Sequence, residues 1–272
     1  MSNPIAFHVM HSLIDRRVIF PTPEARADAY RRAHRLGAEF GLGWFHLGTD
    51  HVHVVLFCTP ERVHRWANSI ESSWKQGCGL PVGFARYHAK PVVDQGHLRT
   101  LIRYVFAQEQ HHGSTLDLDH LGSTAPDLCG GRLLGALAAR TTRLHLPRLR
   151  PERIESILLS GGRLRSIKEF GPAPAGLVEE PLERVLRDAA AAALGRATLP
   201  RSGNLGAQAR RALLELAAGP LGTTIEPTRL LGVGRSSLFR LRSLPMDPTI
   251  FAAVRWQVAF RLTRRELMAS RR

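Results

Sequence analysis

The sequence predicts an α+β fold, with an antiparallel sheet and helices in the first part of the chain and an all-α, basic region after it. Over residues 1–125, strand and helix patterns follow in the order strand, helix, two strands, helix, short strand, helix. After residue 133 only helix patterns remain, separated by the linker-like segments GPAPAG and LPRSGNLG. We therefore predict three regions: a domain over residues 1–125, a helical linker region over residues 126–205 and a helical C-terminal region over residues 206–272.

The elements of the first region follow from local patterns. Residues 6–20 alternate loosely and are rich in β-branched and aromatic residues, which predicts a strand or a hairpin. Residues 23–40 predict a helix, because proline and glutamate open it and apolar side chains recur at helical spacing. Residues 42–57 predict two strands separated by a Gly-Thr-Asp turn. The remaining predicted elements are a helix, a short strand and a helix, over residues 60–76, 85–93 and 97–110.

The rest of the chain predicts helices only, over residues 132–144, 151–159, 163–170, 180–194, 208–217, 227–231, 236–241 and 249–268. Residues 227–242 have the pattern of a helix-turn-helix, in which leucines pack and Gly232 allows the turn. Its side chains predicted to face DNA are Arg235, Ser236, Arg240 and Arg242. A plain helical hairpin remains the alternative.

The charge of the chain favours a phosphate-rich partner. The formal net charge is +15, and the excess lies mainly in the second part: residues 1–145 hold 16 basic and 12 acidic residues, whereas residues 146–272 hold 22 and 11. All basic residues except Lys75, Lys90 and Lys168 are arginine, which a compositional bias explains. Such a bias does not explain the excess of base over acid.

Other sequence features limit the cellular setting. The chain has no run of eighteen apolar residues and no pattern of a secretory signal, so we expect no membrane partner. Its three cysteines, Cys58, Cys78 and Cys129, have neither CxxC spacing nor an even count, which argues against a disulfide framework or a zinc ribbon. We expect a cytoplasmic, nucleoid-associated protein.

Two histidines mark the predicted central strand. His51 and His53 lie two residues apart in the apolar run HVHVVLF, so a strand would project both imidazoles from one face. Neighbouring imidazoles are suited to binding a metal ion. The alternative is that both are polar residues on the solvent side of an amphipathic strand.

A tyrosine and a glutamine mark the predicted third helix. Tyr104 and Gln108 lie one turn apart on the same face. A phenol with a pKa of ~10 is a weak nucleophile, so the phosphate that it attacks must be polarised and aligned. A metal ion can polarise and align a phosphate. The alternative is a half-buried aromatic residue beside a surface amide. Tyr87 is a second candidate nucleophile, and Tyr30 is expected to pack or to contact the DNA backbone.

The remaining histidines are not expected to bind a metal ion. His8 and His11 belong to opposite faces of the first predicted strand. His111 and His112 follow the third predicted helix and are expected to form a solvated cap.

Taken together, these motifs resemble those of the single-tyrosine HUH transposases, in particular the REP-associated tyrosine transposases. The resemblance covers residues 1–125 and rests on FHV at the start with IF at the end of the first segment, on GTDHVHVVL, and on RYVFAQEQHHG in the third helix. It implies a ferredoxin-like HUH nuclease domain. Two departures are Asp50, where the family has asparagine, and Gln108-Glu109, where the family has Asn-Pro. We expect the loss of proline to lengthen the helix.

The resemblance also implies an activity. His51, His53 and Gln108 would bind a divalent ion, Mg²⁺ or Mn²⁺, and Tyr104 would attack a scissile phosphate to form a 5′-phosphotyrosine. The substrate would be single-stranded DNA at hairpin or repeat sites, cut and rejoined by a monomer or a homodimer. Arginines expected to contact that DNA are Arg16, Arg17, Arg86 and Arg103. The alternatives are a non-catalytic DNA-binding regulator and a metal-dependent hydrolase that uses water.

Overall fold

The computed structural model describes residues 4–80, 82–113, 117, 119–171 and 181–270. The chain forms two compact units. The first unit takes the chain up to Leu128 together with Leu134–Ser160, and the second takes Cys129–Leu133 and the chain from Gly161 onward. The first unit holds a four-stranded antiparallel sheet, and the described elements of the second are helical, so the α+β class is confirmed. The division into three regions stays a prediction.

The described elements of the first unit alternate strands and helices, then continue with helices alone. In chain order they are β1 (Ala6–Ser12), α1 (Pro23–Phe40), β2 (Leu42–Leu47), β3 (His51–Leu56), α2 (Pro60–Gly77), β4 (His88–Val92), α3 (Gln95–Phe106), α4 (Gln108–His112), α5 (Ala125–Leu128), α6 (Ala136–His145) and α7 (Pro151–Leu158). Four predicted bounds in this unit are wrong by three residues or more. The short strand begins at His88 rather than at residue 85, and α6 begins at Ala136 rather than at residue 132. The first strand ends at Ser12 rather than at residue 20, and the third helix ends at Phe106 rather than at residue 110.

The sheet has the strand order β2-β3-β1-β4, and all its neighbouring strands are antiparallel. In the register of β1 with β3, His8 pairs with Val55 and Met10 pairs with His53. Paired residues share a face, so His8 and Met10 lie on the same face as His51 and His53. We call this side of the sheet the histidine face.

The opposite face of the sheet carries the core of the first unit. Apart from His11, its strand residues are apolar, and they pack with side chains of α1 and α2, among them the fully buried Trp66 and Trp74. Thr22 caps α1 by accepting a hydrogen bond from the Ala25 amide, and Gly41 ends the helix in the left-handed conformation. Cutting a buried tryptophan of this kind to alanine costs about 3–5 kcal/mol. This packing fixes β3, and with it the histidine pair.

The second unit packs its helices around a leucine- and alanine-rich core. Its described helices are α8 (Leu182–Ala193), α9 (Asn204–Ala218), α10 (Pro227–Leu231), α11 (Arg235–Ser243) and α12 (Pro248–Ala269). The buried run Ala189–Ala193 of α8 lets α12 approach closely, because alanine adds little bulk. With 22 residues α12 is the longest described helix, yet neither it nor any other described helix is long and apolar enough to cross a membrane.

One helix predicted in this unit is wrong. Residues 163–170 contain only a 3₁₀ turn, Ile167–Glu169, because Ser166 and Glu169 form a capping box at its start and Gly171, with φ 66°, ends it. The predicted linker over residues 171–176 lies outside the described residues beyond Gly171, as does the first residue of the helix predicted over residues 180–194.

The predicted helix-turn-helix pair matches α10 and α11. Gly232, with φ 62°, ends α10, and Gly234 precedes α11. Leu230 and Leu231 are buried in the core of the second unit, as are Leu238 and Leu241 of α11. The turn therefore holds one face of α11 against the core and leaves the other face exposed.

Candidate metal and nucleophile site

The central feature of the histidine face is the pair His51 and His53. The alternation of β3 projects both rings from the same side, and their centroids lie 4.6 Å apart at an interplanar angle of 87°. His53 is fully buried, whereas His51 is partly exposed. Two imidazoles therefore stand side by side at the edge of the protein interior, as the sequence predicts.

Each of these imidazoles is held at its Nδ1 atom. His51 Nδ1 lies 2.6 Å from Asp50 Oδ1, and because a carboxylate only accepts, Nδ1 donates the hydrogen bond. His53 Nδ1 lies 2.9 Å from His8 Nε2. We assign the tautomer in which His53 Nδ1 donates to His8. Metal-binding imidazoles are commonly oriented in this way, with one nitrogen donating to an outer partner and the other directed at the ion.

The Nε2 atoms of the pair face Gln108. Gln108 Nε2 donates to the Tyr104 carbonyl oxygen over 3.0 Å, which directs the amide Oε1 towards His51 Nε2 at 3.3 Å. In a neutral His51 that donates through Nδ1, Nε2 and Oε1 are both acceptors. Two acceptors at this distance are favourable only with a proton or a cation between them.

In the assigned tautomer, the Nε2 atom of His53 is a further acceptor. This atom is buried and has no hydrogen-bond partner in the described part of the chain. A buried polar atom without a partner costs about 1–3 kcal/mol, so its persistence calls for an explanation. Together with Gln108 Oε1 and His51 Nε2, this atom makes a donor set that suits a divalent ion.

Only two residues of this donor set, both histidines, are of the types that most often bind metals. Among the residues that the structure describes, no three histidine, cysteine or carboxylate side chains are grouped so that they could hold an ion. The fit of a metal here therefore depends on the amide oxygen of Gln108 and on ligands from the substrate. Because His112 Nε2 also lies 3.1 Å from Gln108 Oε1, this exposed histidine contacts the rim of the site rather than only solvent.

Burial keeps the inner histidines neutral. It lowers the pKa of His53 to about 2, with further lowering by the nearby His51 and His8. It also lowers the pKa of His8 to about 4, assisted by the charge of Lys90. Neutral imidazole is the form that binds metal ions, so this environment keeps His53 ready to act as a ligand at neutral pH.

Asp50 provides negative charge beside the pair. Burial alone would raise the pKa of its carboxyl group, but the hydrogen bond and the electrostatic interaction with His51, together with the charge of Arg16, outweigh burial and lower it. The carboxylate therefore stays ionised and continues to orient His51.

Tyr104 lies next to the histidine pair. Its ring centroid is 5.3 Å from that of His53 and 6.2 Å from that of His8, in edge-to-face arrangements. Tyr104 is 44% exposed, so it is accessible from solvent. The break between α3 and α4 at Ala107 comes between Tyr104 and Gln108, yet the amide-to-carbonyl hydrogen bond keeps the two residues together.

The other candidate tyrosines lie elsewhere. Tyr87 Oη lies 3.0 Å from Nδ1 of His64 on α2, and its ring lies 6.1 Å from that of His11, on the core face of the sheet. Tyr30 is fully buried and donates to Asp127 Oδ1 over 2.6 Å, which supports its predicted packing role. The described geometry therefore favours Tyr104 over both.

The four arginines predicted to contact DNA in the first unit, Arg16, Arg17, Arg86 and Arg103, are all exposed. Arg16 has a left-handed backbone, with φ 56°, and lies near enough to lower the pKa of Asp50. Arg17 forms an ion pair with Asp15. Arg16 is thus tied electrostatically to Asp50, the hydrogen-bond partner of His51.

In the second unit, α11 presents its four predicted DNA contacts, Arg235, Ser236, Arg240 and Arg242, to solvent. The exposed surface of α11 also carries Phe239, which is 76% exposed. Sequence reasoning missed Phe239, although an aromatic residue directly before Arg240 in a predicted recognition helix was a usable signal.

Sequence reasoning also missed His8 as a partner of His53. The sequence places His8 on the first predicted strand, but it does not give the register that pairs this strand with β3. Comparison of the chain with family models, with curated proteins and with solved structures finds no match.

Proposed function

We propose that the first unit is a ferredoxin-like HUH nuclease domain that cuts and rejoins single-stranded DNA through Tyr104. The proposal depends on one observation: the Tyr104 ring, the Nε2 atoms of His51 and His53 and the amide oxygen of Gln108 meet at one edge of the histidine face. The element order β-α-β-β-α-β with strand order β2-β3-β1-β4 supports the fold assignment, because this is the split βαβ arrangement.

Each side chain has a role in this reaction. His51, His53 and Gln108 would hold Mg²⁺ or Mn²⁺, which polarises and aligns the scissile phosphate. Asp50 and His8 orient the two imidazoles. The Tyr104 hydroxyl attacks phosphorus, its oxygen forms a 5′-phosphotyrosine bond, and the 3′ oxygen leaves and gains a proton. Because one phosphodiester replaces another, rejoining by the reverse attack of the 3′-OH requires no nucleotide hydrolysis.

The chain itself supplies both halves of the site. Tyr104 lies beside the imidazoles of its own chain, with no partner subunit needed to bring it there. We therefore propose that the tyrosine acts in cis, whether the protein is a monomer or a homodimer.

The second unit is proposed to bind the duplex part of a hairpin or repeat through α11. The support is the turn geometry between α10 and α11, the buried leucines on one side of α11 and the exposed arginines on the other. Arginine contacts to phosphate would position the chain on the duplex, and contacts to base edges would select the site.

The test of catalysis is covalent capture. A hairpin oligonucleotide with a single-stranded flank is labelled at its 3′ end, incubated with the protein and Mn²⁺, and run on a denaturing gel. A 5′-phosphotyrosine retains the 3′ part of the strand, so a 3′ label migrates with the protein whereas a 5′ label is released on a fragment ending in 3′-OH.

Two matched variants decide the assignment. Tyr104→Phe is expected to abolish the adduct, and Tyr87→Phe is expected to retain it. An adduct that persists in Tyr104→Phe refutes the assignment of Tyr104 as the nucleophile. Cleavage without an adduct identifies a hydrolase that uses water, and binding without cleavage identifies a non-catalytic regulator.

A further inference from the structure

A cavity of about 540 Å³ lies in the first unit, away from the histidine pair. Its walls come from the start of α3, the end of α6 with the loop that follows it, and the first turn of α7. Arg99 and Ile102 face it from α3. Successive helix residues are rotated by about 100°, so Ile102 and Tyr104 project in nearly opposite directions from α3. The cavity and the proposed nucleophile therefore use different faces of the same helix.

Three arginines line this cavity, and among the lining residues that the structure describes none is acidic. Arg99, Arg148 and Arg153 come from α3, from the loop and from α7. In the described part of the chain, none of the three is within ion-pair distance of a carboxylate. All three arginines are exposed. Guanidinium groups around one space repel each other unless an anion lies between them, and their forked geometry matches phosphate oxygens.

The rest of the lining is mainly apolar. Ile102, Leu144, Leu146 and Pro147 form walls between the arginines. Leu144 is 72% exposed, so the apolar surface continues to the mouth of the cavity. An inorganic anion would make no favourable contact with these apolar walls. A ligand that joins an anionic group to a flat, weakly polar ring would use both, since bases pack on apolar side chains and on guanidinium planes.

We propose that this cavity binds one nucleotide, with its phosphate among the three arginines and its base against the apolar wall. The nucleotide is either free in solution or part of the DNA strand, and only the second source rests on the proposed function. In the second case the cavity holds a base next to α3 and aligns the strand relative to the helix that carries Tyr104.

The test measures binding in EDTA, so that the histidine pair contributes no metal-dependent binding. Calorimetry with deoxyadenosine monophosphate is compared with deoxyadenosine and with inorganic phosphate, both of which are expected to bind at least tenfold more weakly. Arg148→Gln and Arg153→Gln are each expected to weaken nucleotide binding about tenfold, because each removes a charged hydrogen bond to phosphate. Arg65→Gln, an exposed arginine of α2, is expected to change nothing.

A five-nucleotide single strand with a fluorescent label distinguishes the two sources. If the ligand is part of the strand, the oligonucleotide binds more tightly than the mononucleotide and loses affinity in Arg148→Gln. If the ligand is a free nucleotide, the mononucleotide binds more tightly than the oligonucleotide. Arg148→Gln then leaves the affinity for the oligonucleotide unchanged. The proposal is refuted if the wild type and both arginine variants bind both probes with equal affinity. It is also refuted if deoxyadenosine binds as tightly as its monophosphate.

The outcome is separable from that of the catalytic test. Tyr104→Phe is expected to bind the mononucleotide as the wild type does, because Tyr104 lies on another face of α3. Tyr104→Phe therefore loses the covalent adduct but keeps nucleotide binding, whereas Arg148→Gln loses nucleotide binding but keeps the proposed nucleophile.

Discussion

Acid is expected to destabilise the metal-free first unit through His8 and His53. The ordinary pKa of 6.5 falls to about 4 for His8 and to about 2 for His53, because burial penalises their charged forms. In the unfolded chain both groups take up a proton near pH 6.5, whereas in the folded chain both stay neutral at pH 5. The unfolded state then binds more protons, so the free energy of unfolding decreases as the pH falls. The stability that these groups contribute is fully present above pH 6.5 and is lost progressively below it.

The size of this effect follows from the two pKa values. One pH unit corresponds to ~1.36 kcal/mol for each group that titrates in the unfolded state only. From neutral pH to pH 5, each histidine therefore contributes a loss of about 2 kcal/mol, and the pair about 4 kcal/mol. Because His8 is only 7% exposed and His53 is fully buried, no large reduction for solvent screening applies. A loss of this size is a large fraction of the stability of a typical domain.

The assay is urea unfolding in EDTA at pH 7.5 and pH 5. Tryptophan fluorescence follows the first unit in a Trp256→Phe background, since the other three tryptophans lie in that unit. His8→Asn is expected to reduce the pH-dependent loss by about 2 kcal/mol, whereas His64→Asn, which removes an exposed histidine of α2, is expected to leave it unchanged. If wild type and His8→Asn lose the same free energy between the two pH values, the argument from burial is wrong.

Four further predictions follow from the sites. Mn²⁺ is expected to raise the melting temperature of the wild type but not of His53→Ala, because an ion that binds only the folded state stabilises it; an equal rise in both places the ion elsewhere. Mixing Tyr104→Phe with His53→Ala is expected not to restore adduct formation, and restoration would show action in trans. Arg240→Gln is expected to lower the slope of log affinity for duplex DNA against log salt by about 0.9 per lost phosphate contact; an unchanged slope would remove Arg240 from the interface. Phe239→Ala is expected to weaken binding to a hairpin with unpaired bases about tenfold without changing that slope, because base stacking releases no counterions; a changed slope would contradict a stacking role.

The sequence predicts the sheet and the histidine pair well because both depend on local patterns. The alternation of HVHVVLF determines which side chains share a face once the strand forms, and β3 has that alternation. The proline at the start of α2 and the glycine after α1 mark helix ends by local backbone preference. These features need no knowledge of the tertiary structure.

The errors occur where tertiary contacts decide. Residues 13–20 hold apolar side chains such as Ile19 and Phe20, which suggested a longer strand, but these are buried from an irregular segment. The third helix breaks at Ala107, where its sequence carries no glycine or proline to mark the break. The sequence predicts no ligand role for His8, because His8 and His11 belong to opposite strand faces. The contact of His8 with His53 depends on strand register, and a sequence alone does not fix which residues of β1 and β3 pair.

The hydrogen bond from Gln108 to the Tyr104 carbonyl spans the break between α3 and α4. The proposed nucleophile and the proposed ligand are therefore joined by a hydrogen bond, even though they lie on separate helices. A shift of the tyrosine's helix during strand exchange would also shift the amide that faces His51. The residue that would carry the cut strand and the residue that would help to hold the ion would then change position together.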